Sequence, residues 1–152
     1  MQKHLIAFGL ASAMMMGVAA RGEDVRVLQA GEYEVSVSLE LPHVEDIGAS
    51  KVATICVPEG DSRPPWGLAV LSENNPLARC PASNVHQDGN TLTFDIICPG
   101  GNQAIASAKY TVAAQRFAGV IAMTMGGKNM TMIERQTGHR IGSCKPAETP
   151  RS

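Results

Sequence analysis

CPASNVHQDGNTLTFDIIC, residues 80–98, holds a strand, a turn signal and two cysteines, and it decides the fold. Its second half alternates, with apolar side chains or cysteine at the even positions from 92 to 98 and Thr or Asp at 91, 93 and 95. Such alternation is typical of a strand with one face in the core and one in water. Asp88-Gly89-Asn90 supplies a turn, because Gly accepts a positive φ and Asp and Asn hydrogen-bond to their own backbone. The stretch therefore predicts an antiparallel hairpin.

The length of the turn decides which residues face each other. A three-residue loop of Asp88, Gly89 and Asn90 pairs residues whose numbers sum to 178, and it places Cys80 opposite Cys98. A two-residue loop changes that sum by one and turns the two sulfur atoms to opposite faces. We therefore predict a three-residue loop together with a disulfide between Cys80 and Cys98.

The first 20 residues resemble a cleaved export signal. Lys3 and His4 make a short basic start, an apolar run follows from Leu5 to Val18, and small residues at 18–20 suit a signal peptidase. The apolar run is shorter than the roughly 20 residues that span a bilayer. We expect a protein that is periplasmic or secreted.

After the signal, the chain has the length of one domain. We expect a single β domain over residues 21–144 and a disordered, polar tail over 145–152. Without Lys3, the 13 basic residues become 12 against 14 acidic ones, with no basic stripe. Nucleic acid is therefore excluded as an expected partner.

The cysteine count fits an oxidising compartment. All four cysteines follow the signal, and an even number there is typical of a disulfide framework. If Cys80 pairs with Cys98, then Cys56 pairs with Cys144. A zinc site is disfavoured, because no two cysteines have the C-x(2 to 4)-C spacing of zinc ribbons.

The remaining sequence predicts short strands separated by turns. Gly31–Leu41 is the cleanest, since every odd position is apolar and every even position is polar. Further strands are expected at 52–57, 104–113, 116–125 and 129–136, and a weaker one at 25–28. A proline-rich connection at 58–79 has room for a short helix at 68–73, and its Trp66 is expected to pack over one end of the sheet. The fold class is all-β, an antiparallel meander closed as a small barrel or folded as a sandwich.

The order of several short motifs resembles a known family. They are Gly31-Glu32-Tyr33-Glu34-Val35, the four cysteines, Cys98-Pro99-Gly100-Gly101, a Met-Thr-Met strand and Gly138-His139-Arg140-Ile141-Gly142-Ser143-Cys144. Together they are similar to a widespread group of small exported bacterial proteins that is classed as a domain of unknown function. The group usually has Trp where this chain has Tyr33. The resemblance implies an envelope location and an all-β domain, and it implies no reaction.

Four methionines form a near-palindrome around a short loop. Met123 and Met132, like Met125 and Met130, have numbers that sum to 255, so a hairpin would set them as two facing pairs on one face. Thioethers select Cu(I), which makes these four the candidate ligands of a copper site and Cu(I) the candidate cofactor. The alternative is that the methionines fill irregular core space or line an apolar cavity.

Candidates for catalysis are few. His43, Glu45 and Asp46 form one acid and base cluster, for which a solvated loop is the favoured interpretation. His86, next to the turn, is a candidate to face the Leu92 side of the hairpin, although a partly exposed strand histidine is the favoured interpretation. Arg140 is a candidate anion ligand, although a structural hydrogen bond to the chain end is favoured. With all cysteines in disulfides, no nucleophile is apparent, and we expect no enzyme activity.

The sequence thus favours a binding module. We expect it to hold a small apolar ligand or a protein partner, with no membrane span in the mature chain. The alternative is a periplasmic Cu(I)-binding protein that uses the methionine hairpin. The residues that line an apolar ligand site are not predicted.

Overall fold

The fold was analysed in a computed structural model, which describes residues 26–42, 49–60, 63–100, 104–126 and 130–146. Seven strands form one sheet in these residues. Their bounds are β1 Gly31–Glu40, β2 Ala49–Val57, β3 Ala82–Asp88, β4 Thr91–Ile97, β5 Ile105–Ala113, β6 Arg116–Met125 and β7 Met130–Gly142.

All neighbouring strands run antiparallel, in the order β2-β1-β7-β6-β5-β4-β3. The all-β antiparallel class is therefore confirmed. Strands β3 to β7 form a continuous meander, and β1 joins it beside β7. Within the described residues the sheet does not close into a barrel, because β2 and β3 lie at its opposite edges.

Each strand turns alternate side chains to one face. In β1, Tyr33, Val35 and Val37 are buried while Glu34 and Ser36 are exposed, as the alternation predicts. We call the side with the buried residues the core face and the other side the outer face. A one-sided sheet needs a cover for its apolar face, since exposed apolar surface costs about 25 cal/mol per Å².

Residues 63–80 supply that cover, and we call them the cover segment. Trp66, Leu68, Val70 and Leu77 from this segment are all buried in the same core cluster as the sheet residues. The helix expected at 68–73 is absent from this described segment, and a short 3-10 helix spans Pro76–Arg79 instead. It begins there because the Asn75 side chain accepts the Leu77 backbone N–H and proline suits the first turn.

The first hairpin corrects one prediction and confirms another. Asp88 pairs with Thr91, so the loop has two residues, and near the turn the paired numbers sum to 179. A β-bulge between Ser83 and His86 then restores the sum of 178, and Asn84 adopts a positive φ of 50° there. The predicted three-residue loop is wrong, because the extra residue lies in the strand and not in the turn.

Both predicted disulfides are present. Cys80 joins Cys98 across the hairpin, and Cys56 in edge strand β2 joins Cys144 just after β7. The second bond spans 88 residues and links the early and late parts of the sheet across β1. In the chain-entropy description, the two bonds contribute about 3 and about 4 to 5 kcal/mol.

Candidate functional site

A buried carboxylate fixes the cover segment onto the sheet. Glu134 in β7 has no solvent exposure, and its two oxygens accept the backbone N–H groups of Leu71 at 2.8 Å and Ser72 at 3.0 Å. Consecutive backbone N–H groups hold an anion well, because both dipoles point at the charge. A buried charge is tolerated where such donors replace the water it has lost.

Two further polar side chains complete this buried network. Gln136 donates from its amide nitrogen to the Ala69 carbonyl at 2.7 Å and to the Glu134 carboxylate at 2.6 Å. The Tyr110 hydroxyl donates to the Gln136 amide oxygen at 2.9 Å. Burial, and then the nearby charge of Glu134, raise the pKa of Tyr110 above its ordinary value. Three residues of the cover segment, Ala69, Leu71 and Ser72, are thus held by side chains from the sheet.

Beside this anchor lies a cleft of about 320 Å³ between β1, β2 and the cover segment. It is lined by Val37, Leu39, Ser50, Lys51, Ser72 and Glu73. Val37 is buried and Leu39 is half-buried, so the β1 side of the cleft is apolar. The Lys51 ammonium approaches the Glu73 carboxylate at 3.3 Å, which places an ion pair between β2 and the cover segment. The cleft therefore combines apolar residues with one charge of each sign.

The four methionines pair as the sequence predicts. Met123 lies opposite Met132, and Met125 lies opposite Met130, in the β6–β7 register. Met123 is 1% exposed, Met125 and Met132 are half-buried against the core, and Met130 is 49% exposed. We call this end of the sheet the Met hairpin. The four methionine side chains range from fully buried to half exposed, so they are not equivalent as candidate ligands.

The other predicted site residues do not form one site. His43, Glu45 and Asp46 lie outside the described residues. His86 is exposed and pairs with Thr93 instead of facing the Leu92 side. The two-residue turn explains this pairing, because paired numbers near the turn sum to 179 and therefore set His86 opposite Thr93 and not opposite Leu92.

Arg140 makes a structural hydrogen bond to the residue that precedes β1, whereas the chain end beyond residue 146 lies outside the described residues. Its guanidinium donates from Nε to the Ala30 carbonyl at 2.9 Å, and its backbone N–H donates to the Gln115 carbonyl at 2.9 Å. The side chain also lies against Gly31, where a Cβ atom would come within 2.5 Å of the Arg140 Nε. Arg140 therefore ties the start of β1 to the end of β7.

The outer face carries an ion pair and a histidine–carboxylate contact between β1 and β7. Glu40 pairs with Arg135, and a hydrogen bond from Arg135 holds the pKa of the Glu40 carboxyl below its ordinary value. His139 approaches Glu34 at 3.8 Å on the same two strands. These side chains are about half exposed or more, so the pairs contribute little to stability.

Comparison with known families shows to which family this chain belongs. The profile described as protein of unknown function (DUF3617) matches residues 28–144, from the last residues before β1 to the closing cysteine. The chain belongs to the DUF3617 family. Comparison with curated proteins and with solved structures finds no match.

The DUF3617 match covers all seven strands, the cover segment and both disulfides. Tyr33 is fully buried in this chain. Its ring lies 5.8 Å from that of Phe117, and its hydroxyl donates to the Gln29 carbonyl at 2.8 Å. Burial raises the pKa of Tyr33. Tyr33 thus packs as an aromatic core residue and also fixes the chain that enters β1.

Sequence reasoning missed Glu134 and Gln136. Both are core-facing residues of β7, where the period-two pattern calls for apolar side chains. The available signal was their spacing, because two polar residues at i and i+2 share one face of a strand. That signal is ambiguous unless the hydrogen-bond donors of the two side chains are known. The donors of Glu134 are the backbone N–H groups of Leu71 and Ser72, which the sequence does not indicate because they belong to a segment of irregular structure.

Among the described residues, no helix has the length and apolar character needed to cross a bilayer. The two disulfides are compatible with an extracellular or otherwise oxidising environment.

Proposed function

We propose that this DUF3617 protein is an exported binding module that holds a small, mainly apolar ligand in the cleft between β1, β2 and the cover segment. The observation that carries the proposal is the cleft itself, with apolar residues on β1 and the Lys51–Glu73 pair beside them. Its volume of about 320 Å³ falls in the range of small-molecule sites.

The anchor at Glu134 supports a preformed site. Ser72 lines the cleft and donates its backbone N–H to Glu134, so this wall is fixed before a ligand arrives. Leu39, which also lines the cleft, lies directly opposite Glu134 in the β1–β7 register. A preformed wall reduces the ordering cost of binding.

The chemistry of the cleft indicates the class of ligand. Val37 and Leu39 favour an alkyl or ring group, and the Lys51 ammonium suits a polar oxygen at one end of the molecule. A medium-chain alcohol or acid has both parts. Localisation in the bacterial periplasm or outside the cell belongs to the same proposal, supported by the two disulfides.

Ligand binding is tested with the purified, oxidised protein. A naphthalene sulfonate dye is bound first and then displaced by alcohols and acids of 8 to 14 carbons. We expect saturable displacement that Leu39→Trp abolishes by filling the cleft. Val52→Trp is the control, since Val52 is 65% exposed and does not line the cleft. No saturable binding, or equal binding by the two variants, contradicts the proposal.

A second candidate function, binding of a protein partner, is supported by the edge at β2. This strand has nine residues, shows no bulge in its pairing with β1, and carries a single charged residue, Lys51. In the described part of the chain, nothing pairs with its far side. Long, regular edges with few charges accept an additional strand, so the expected partner offers an extended, neutral segment.

The other edge provides the control for this test. Strand β3 is interrupted by its bulge, which blocks regular pairing. Extended peptides displayed on phage are selected for binding, and binders are tested against Val52→Lys and Val85→Lys. We expect Val52→Lys to abolish binding and Val85→Lys to preserve it. Peptides that ignore both changes contradict the edge assignment.

A further inference from the structure

Of the four methionines in the Met hairpin, one has a structural role and three are available as ligands. Met123 is buried, and its sulfur accepts a hydrogen bond from the Asn75 side-chain amide at 3.2 Å. Asn75 also donates to the Ser72 hydroxyl at 3.0 Å and caps the Leu77 N–H. The Met123 thioether therefore belongs to the contact between sheet and cover segment, while Met125, Met130 and Met132 remain.

These three thioethers share one face at one end of the sheet. Met125 follows the buried Ile121 and Met123 at intervals of two, and Met130 and Met132 precede the buried Glu134 in the same way. All three consequently project from the core face. Met125 and Met132 pack against the core cluster, and Met130 reaches solvent.

Strand geometry brings the three side chains close together. Met125 and Met130 are direct cross-strand partners, for which Cβ atoms lie about 4.5 to 5.5 Å apart. Met130 and Met132 are separated by two residues of one strand, about 7 Å, and Met125 and Met132 are diagonal neighbours at about 7 to 8 Å. The flexible methionine side chain is long enough for three sulfur atoms to converge from such a triangle.

The surroundings favour a soft ion of low charge. Leu41 is half-buried one residue beyond Glu40, which pairs with Ile133, so the β1–β7 register places it beside Met132. All four cysteines are in disulfides. Among the described residues, no three His, Cys, Asp or Glu side chains gather in a group that could hold a metal.

We propose that Met125, Met130 and Met132 bind one Cu(I) ion at the open end of the Met hairpin. Thioether sulfur is a soft ligand that selects Cu(I), whereas Zn(II) and Cu(II) prefer the nitrogen and oxygen ligands that this triangle does not offer. The exposure of Met130 gives the ion a path from solvent. Binding exchanges one set of ligands for another, and copper enters and leaves as Cu(I) without electron transfer.

The site is independent of the ligand cleft and differs from the four-methionine site that the sequence suggests. Met123 is excluded as a ligand, and this exclusion supplies an internal control. A variant Met123→Leu leaves all three proposed ligands in place, while Met125→Leu, Met130→Leu and Met132→Leu each remove one.

Affinity is measured in the oxidised protein by competition with bicinchoninate for Cu(I), under argon with ascorbate. We expect one copper per chain, at least tenfold weaker binding in each of the three single variants, and a change of less than twofold in Met123→Leu. Loss of copper binding by Met123→Leu alone overturns the assignment of ligands. No competition by the unaltered protein overturns the site itself.

A second measurement does not depend on any variant folding correctly. The methionine methyl groups are observed by NMR while Cu(I) is added to the unaltered protein. We expect the signals of Met125, Met130 and Met132 to shift together and to saturate at one equivalent, with Met123 unchanged. Shifts at none of the three, or an equal shift at Met123, contradict the proposal.

Discussion

The backbone N–H of Ser72 donates to the Glu134 carboxylate at 3.0 Å, in a position that solvent does not reach. This hydrogen bond joins an irregular segment to the centre of the sheet. With the Leu71 N–H at 2.8 Å, it positions one wall of the cleft and one side of the core. The folding of the cover segment and the shape of the candidate site therefore depend on the same carboxylate.

The first prediction concerns that carboxylate. Glu134→Gln replaces one acceptor oxygen by an amide that points at a backbone N–H, which leaves a buried donor unsatisfied. We expect a loss of about 2 to 3 kcal/mol in the free energy of unfolding, measured with urea. The control Glu40→Gln removes an exposed carboxylate and is expected to change stability far less. Equal losses in the two variants contradict the anchoring role.

Alkaline pH tests the buried tyrosines. Burial raises the pKa of Tyr110 and of Tyr33, so each stays neutral in the folded protein at a pH where the unfolded chain has begun to ionise. The stabilisation is fully present below about pH 10 and is lost above it, because the unfolded state then binds fewer protons.

We expect stability to fall above pH 10 by about 1.4 kcal/mol per pH unit for each tyrosine that remains neutral when folded. Tyr110→Phe lowers stability at neutral pH, because it removes the bond to Gln136, but it reduces the alkaline slope. The measurement is urea unfolding between pH 8 and 11. A slope unchanged by Tyr110→Phe contradicts the burial of that hydroxyl.

A glycine of β7 makes room for an aromatic ring of the neighbouring strand. A Cβ atom at Gly138 would lie 2.3 Å from the Phe117 ring. We expect Gly138→Ala to destabilise the protein by about 1 to 3 kcal/mol, as overpacking does in other cores. Gly142→Ala is a matched control in the same strand, since a Cβ there has no atom within 4 Å. If both variants keep wild-type stability in urea, the packing of Phe117 on Gly138 is wrong.

The disulfides are expected to contribute unequally. Removing the Cys56–Cys144 pair by double substitution with Ser frees a loop of 88 residues, and removing Cys80–Cys98 frees one of 18. We expect losses of about 4 to 5 and about 3 kcal/mol, in that order. Calorimetric melting of both double variants tests this order, and a reversed order contradicts the chain-entropy account for this sheet.

Local alternation made much of the sheet predictable. Gly31–Leu41 has an unbroken period of two, and β1 follows it to Glu40. The Met hairpin was predictable to the residue because its four methionines are symmetric about the loop. In both cases the side chains that form the sequence pattern also make the packing contacts of the sheet, so the pattern predicts the packing.

The pattern failed where distant residues determine the structure. β7 continues to Gly142, beyond the predicted end at Gln136. The strand continues through Gly138 because the Phe117 ring of the neighbouring strand occupies the space where a side chain of residue 138 would lie. The bulge at Asn84 was hidden because a three-residue turn and a two-residue turn with a bulge both align Cys80 with Cys98. Neither feature has a local signal of its own.

The candidate cleft was unpredictable for a related reason. Its lining comes from β1, β2 and the cover segment, which are separate in the sequence. Alternation predicts that Val37 and Leu39 face the core, but it does not predict that Ser72 and Glu73 lie across from them. That placement follows from the bonds to Glu134.

The central claim is that a small apolar ligand occupies the cleft beside this anchor. The most direct measurement is a backbone amide NMR titration of the oxidised protein with decanol. We predict saturable shifts concentrated at Val37, Leu39, Lys51 and Ser72. An absence of saturable shifts, or shifts confined to residues that do not line the cleft, would contradict the account.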